Sequence, residues 1–190
     1  MGRSKHLVDS TTGMKGFRAK YRIPLGVALW YYTLDQIITD RKEGEVVIPV
    51  IAFIDGGITL PIGRVTWDYL INHRLCPHQC TPNLFRILGS VDALNEQMGL
   101  GLGWHDVVHM YECHKLADTR YYLKSRSNIV NMVSCLLKSN KGMKDDYLIT
   151  SRKWHNSLHC PTREGELGGV PRIRSLGMGF STFSFTTFSS

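Results

Sequence analysis

RLCPHQCTPNLFRILG, residues 74–89, decides how this chain is read. Cys76, His78 and Cys80 alternate as metal ligands can, whereas Thr81-Pro82 followed by an apolar run reads as the entrance to a helix. A structural zinc site needs a second pair of ligands at a comparable spacing. The available partners are His109 with Cys113, or His159 with Cys160, and neither gives a finger, knuckle or ribbon spacing. The helix entrance is supported on both sides of the proline. A threonine oxygen can accept an orphan amide bond at the cap, and proline suits the first helical position. Leu84, Ile87, Leu88, Val91, Leu94 and Met98 then recur on one face, so a helix is expected to run to about Gln97 and stop at Gly99.

Outward from this helix the chain reads as a succession of short elements. Arg64 to His73 is expected to be a helix burying Val65, Tyr69 and Leu70. EVVIPVIAFIDGGITLPIG, from residue 45, is rich in β-branched residues but broken by Pro49 and Gly56-Gly57, so short extended or helical pieces with a turn at the glycines are expected. GVALWYYTLDQIITD, Gly26 to Asp40, spaces Val27, Trp30, Tyr31, Leu34, Ile37 and Ile38 as an amphipathic helix does. Trp104 to Lys115 reads as a further helix, entered through GLGLGW. TRYYLK, NIVNMVSCL and DDYLIT are β-prone, the last two flanking a loop LKSNKGMK.

These patterns predict one small α+β domain, predominantly helical, with short strands in its C-terminal half and disordered ends. The expected boundaries are a basic arm at 1–20, a globular body at 21–160 and a Gly/Ser/Phe tail at 161–190.

The net charge of +7 is unevenly placed. Residues 1–24 carry six Lys or Arg against Asp9, residues 25–116 six against ten acids, and residues 117–190 eleven against five. A neutral-to-acidic body between basic flanks suits contact with nucleic acid or another polyanion, or with protein. The interleaved aromatic and basic pattern of single-strand binders is absent. The longest apolar run, Val46 to Ile54, falls far short of the roughly 20 residues that span a bilayer, so no membrane partner is expected. Five scattered cysteines and the lack of an apolar leader point to an intracellular protein, in nucleus or cytoplasm.

Signatures of catalysis are missing. No phosphate-binding glycine loop, dinucleotide fingerprint or nucleophile elbow occurs, and Asp145-Asp146 in KDDY reads as a solvated turn. The alternative is a zinc protein or metal-dependent hydrolase using His105, His109 and Cys113, which fall four apart on a helix, or Cys76, His78 and Cys80. HDVVH resembles the zinc-protease motif with Asp in place of Glu, and the shorter acid reaches less far. The expectation is therefore no enzyme, no catalytic, cofactor or metal residues, no cofactor and no small-molecule substrate. A domain mediating only self-association is favoured if Trp30 and Tyr32 are exposed.

FIDGGITLPIG, CPHQCTPNLFRILG, YYLKSR and KSNKGMKDDYLI followed by Trp154 resemble, in that order, the gypsy-type transposon domain of retrotransposon-related plant proteins. The matching positions are Phe53, Gly56, Leu60 and Pro61, then Pro77, Gln79, Pro82 and Asn83, then Lys141, Gly142 and Lys144, with Met143 where that family has an aromatic. The likeness covers about residues 45 to 155. It implies a mobile-element-derived plant protein without catalytic residues, and it reads Cys76 and Cys80 as outside the family pattern. The Ser/Phe ending, where that family continues into charged or coiled-coil regions, implies a fragment or degenerate copy.

Overall fold

A computed structural model describes residues 4–32, 45–117, 120–127, 132–134, 136–137, 146–151 and 154. The elements are α1 (Thr11–Lys20), β1 (Ala28–Tyr32), β2 (Val46–Pro49), α2 (Val50–Ile54), α3 (Arg64–Asn72), α4 (Pro82–Met98), α5 (Trp104–Met110), β3 (Tyr111–Lys115), β4 (Tyr121–Ser125) and β5 (Tyr147–Ser151). Short 3-10 turns cover Lys5–Leu7 and Pro77–Gln79. Helices account for about 45% of the described residues and strands for 20%. The fold is thus α+β with two antiparallel sheets, and the expected helical predominance is overturned. So is the confinement of strands to the C-terminal half, since β1 and β2 both precede residue 50.

One sheet has the order β1-β5-β2, with Trp30 opposite Ile149 and Ile149 opposite Val47. The other is the β3-β4 pair, Cys113 opposite Leu123. The segment 26–40 was expected to be helical; its described part contains a strand. Val27 and Leu29 are buried in the main core and Tyr31 packs against it, a period of two that the aromatic run also satisfies. Pairing with β5 along five residues decides between the two periods. Residues 33–40 lie outside the described part.

The helix expected over 104–115 stops at Met110, and the chain turns directly into β3. Tyr111 is buried and Glu112 exposed, and the strand pairs along its length with β4. Helical spacing and strand alternation share Val107 and Tyr111, which is why the boundary was invisible.

The deciding stretch is a helix entrance. Cys76 and Cys80 flank the Pro77–Gln79 turn, Pro82 opens α4, and α4 ends at Gly99 in the left-handed conformation (φ 63°). Leu84, Ile87, Leu88 and Val91 are fully buried, each contributing roughly 1.5–3 kcal/mol. The cap works differently from expectation: the Thr81 hydroxyl is buried and makes no hydrogen bond, while its backbone amide donates to Tyr121 O (2.9 Å). Proline geometry and sheet attachment fix this helix start.

α3 runs where predicted, with Val65, Tyr69 and Leu70 buried. Its cap comes from another helix. Asp92 on α4 accepts from Val65 N (2.7 Å), Thr66 N (3.2 Å) and Thr66 Oγ1 (2.7 Å). A Cβ on Gly63, the N-cap residue, would collide with the Asp92 carboxylate, which explains the glycine. Both α1 and α3 close in Schellman motifs with arginine where glycine is usual. Arg22 and Arg74 each have φ 51°, while Ile23 N reaches Arg18 O and Leu75 N reaches Leu70 O (both 2.9 Å).

The basic arm expected at 1–20 is, over its described residues 4–20, part of the folded body. Ser10 Oγ accepts from Gly13 N (3.0 Å) to cap α1, and Val8 and Phe17 are buried in the core. Phe17 meets Phe53 edge-on at 5.4 Å. The tail expected at 161–190 lies outside the described residues, as do the loop LKSNKGMK apart from Leu137, which exchanges hydrogen bonds with Asn83, and most of NIVNMVSCL.

Candidate functional site

The fold places the two alternative metal sets as follows. Cys76 N donates to Gln79 Oε1 (3.0 Å), and the Cys80 thiol donates back to Cys76 O (3.4 Å), so the Cys76–Cys80 loop is closed by its own backbone. His78 is half-buried on that turn. His105 and His109 are exposed on α5, whereas Cys113 lies on β3, so the four-residue helical spacing does not carry through to the thiol. His105 stacks on Trp104 at 3.7 Å. Among the described residues no three His, Cys, Asp or Glu side chains converge on a metal position. His159 and Cys160 lie outside them.

What the fold does bring together is one thiol from each set. Cys80, fully buried beside β4, and Cys113, half-buried on β3, face Tyr69 of α3 and Tyr121 of β4. Burial pushes the Cys80 thiol well up, with Cys113 and then Cys76 adding to it. Cys113 is pushed up by burial against a smaller opposing effect of the Tyr69 hydroxyl. The Tyr69 hydroxyl is itself raised, by burial first and the neighbouring thiols second. It is fully buried with no hydrogen bond of good geometry. Thiols held protonated by burial are poor nucleophiles, and Cys80, Tyr69 and Tyr121 belong to the main core with Cys113 packed against it.

A cleft of about 710 Å³ opens beside α3 and the glycine loop 99–103, with Asp68, Asp92, Glu96 and Trp104 among its walls. Asp92 is occupied by the α3 cap, and Asp68 faces Arg64 at 3.7 Å. Asn95 holds the loop by giving a bond to Leu102 O (2.7 Å) and taking one from Leu102 N (2.8 Å). Asp92 thus serves the joint between α3 and α4, Asp68 pairs within α3, and Asn95 pins the loop.

The remaining candidate is the N-terminal unit, residues 4–24. It carries Lys5, Lys15, Arg18, Lys20 and Arg22 against Asp9. Arg18 is used internally, donating to Pro24 O (2.6 Å) and Val27 O (2.7 Å), and so bolts α1 to the start of β1. Ser4 N donates to the buried carboxylate of Asp146 (2.8 Å), which also accepts from Tyr31 Oη (3.3 Å). Burial, then Asp146, raises the Tyr31 phenol. With Phe17 as anchor, the exposed side of α1 consists of Thr11, Thr12, Lys15, Gly16, Ala19 and Lys20, with exposed Arg22 just beyond. Cations stand there on a smooth face of small residues. Sequence reasoning found the charge of this region but missed its order. The legible signals were Ser10 as cap and Met14 with Phe17 three apart, too few for a confident period.

No family model, curated protein or solved structure matches the chain significantly. No described helix is long and apolar enough to cross a membrane.

Proposed function

We propose that this chain is a non-enzymatic, retroelement-derived intracellular protein that associates with nucleic acid through the exposed face of α1. The observation that carries the reading is that the strongly basic N-terminal unit is docked on the core by Phe17, Arg18 and Ser4, so that Lys15, Lys20 and Arg22 are presented from a fixed surface. A docked cationic face loses little entropy on binding and can lie close to a phosphate backbone. Among the described residues no base-reading element accompanies it, and contacts from Lys15, Lys20 and Arg22 to phosphate carry no sequence information. The order of motifs from FIDGGITLPIG to Trp154 supports the retroelement origin.

Fluorescence anisotropy with labelled duplex DNA and RNA across a salt series tests this reading. Neutralisation of about three phosphates gives a slope of log K against log salt of about −2 to −3. Lys15→Glu with Lys20→Glu, both exposed positions, is expected to abolish binding and leave the melt intact. Absence of binding at low salt, or binding indifferent to salt and to both substitutions, refutes it.

A further inference from the structure

We infer that the cleft between α3, α4 and the glycine loop 99–103 is a docking site for an arginine side chain, presented by an apolar-flanked segment of another protein. All its lining residues belong to the unbroken described stretch 45–117, and its volume of about 710 Å³ is that of a small-ligand site. Its walls are fixed by the fold. Gly99 and Gly101 have left-handed backbones (φ 63° and 68°), Asn95 pins Leu102 by two hydrogen bonds, and Gly103 N donates to Asp106 Oδ2 (2.7 Å). Trp104 meets His73 edge to face at 5.8 Å and stacks on His105 at 3.7 Å, so the aromatic wall is in place before a ligand arrives.

The charges of the cleft select a cation. Three carboxylates, those of Asp68, Asp92 and Glu96, line it against the single guanidinium of Arg64. Asp92 is used by the α3 cap. Asp68 is shared at 3.7 Å with Arg64, whose side chain is 92% exposed, a loose pair that an incoming guanidinium can replace. Glu96 is the informative residue. It stands exposed in the last turn of α4, where the helix dipole is negative and no basic residue occurs. Among the described residues Glu96 has no ion pair, and the carbonyls of Glu96, Gln97 and Met98 accept no backbone hydrogen bond. A carboxylate in that place destabilises the helix, and nothing in the described fold offsets it; a bound cation does.

The rest of the ligand follows from what flanks the charges. Met98 and Leu100, beside the cleft, are 64% and 51% exposed although apolar. A guanidinium is flat and weakly hydrated, and it can bond two carboxylates while packing against an indole, which an ammonium does less well. An arginine between apolar residues therefore matches the carboxylates, Trp104 and the exposed Met98 and Leu100 together. No residue of α1 lines the cleft, so the inference is independent of nucleic-acid binding.

The test is an NMR titration of the isotope-labelled full chain with the capped peptide alanyl-leucyl-arginyl-leucyl-alanine amide, and with its citrulline counterpart as the neutral isostere. Saturable shifts are expected at the Gly99, Gly101 and Gly103 amides and the Trp104 indole. Dissociation is expected in the ~0.1–1 mM range, with the citrulline peptide about tenfold weaker or more. Glu96→Gln and Asp68→Asn are each expected to weaken binding about threefold, and together about tenfold. Glu96→Gln should at the same time raise Tm by about 1–3 °C, because a carboxylate leaves the negative end of α4, so that lost binding is separated from lost folding. Absence of saturable shifts, shifts centred elsewhere, or equal binding by the citrulline peptide or by the doubly substituted chain overturns the inference.

Discussion

Removing the Asp92 carboxylate tests the joint between α3 and α4. Asp92→Ala deletes the acceptor for Val65 N and Thr66 N, the cap of α3, at a cost of about 0.5–2 kcal/mol. It also strands the Thr66 hydroxyl, whose residue is buried, at a further cost of about 1–3 kcal/mol. A loss of about 2–4 kcal/mol is expected, which for a chain of this size lowers Tm by roughly 5–15 °C. The sharper signature is a reversal of sign at Gly63. Gly63→Ser in the intact protein drives its Cβ into the Asp92 carboxylate and destabilises. In the Asp92→Ala background that space is empty, and the serine oxygen can cap α3 from its own N-cap position, recovering about 1 kcal/mol. Urea unfolding of the four proteins in this cycle gives the coupling directly. If Gly63→Ser has the same effect in both backgrounds, the cap supplied from another helix is not what fixes glycine at 63.

Arg22→Gly relieves a left-handed residue at the end of α1 and is expected to stabilise the fold by about 0.5–1 kcal/mol while weakening nucleic-acid binding, a split that a melt and an anisotropy titration read separately. Stability should fall as pH rises above about 8.5, because Cys80, Cys113 and Tyr69 release protons at lower pH in the unfolded chain than in the fold; Cys80→Ala should flatten that limb of the melt-versus-pH curve. On the acid side, burial pulls His73 below its ordinary value despite its hydrogen bond to Tyr69 O, so its contribution is lost as pH falls below about 6.5 and His73→Gln should lessen that loss. Tyr69→Phe removes a buried hydroxyl with no hydrogen bond of good geometry, only the nearby Cys113 thiol, and should leave urea stability unchanged or raised by about 1 kcal/mol.

α3 and α4 were legible because each has a helical period long enough to exclude a strand, punctuated by Pro82 and Gly99. β1 was not, because a short aromatic run satisfies both periods and its partner strand lies more than a hundred residues away in sequence. α1 was hidden by composition. Its Thr, Gly and Lys look like a tail, and arginine stands where a glycine would have marked its end. The candidate interface was half legible: its charge shows in the sequence, but its fixed placement depends on Arg18 reaching two backbone carbonyls and on Asp146 reaching Ser4. The four-residue spacing of His105, His109 and Cys113 has meaning only on a continuous helix, and this one ends at Met110.

The middle strand of the three-stranded sheet is the last to be made. β1 and β2 leave the ribosome early, but neither has a partner until residues 147–151 arrive to pair with both. Until then two apolar strands wait with their inner edges open, at the stage when a growing chain is most exposed to wrong pairing. Any product ending before residue 147 would be a different material from the whole protein, sticky on both sides of a gap. Premature termination or proteolysis in the segment ahead of β5 therefore acts on solubility before it acts on binding.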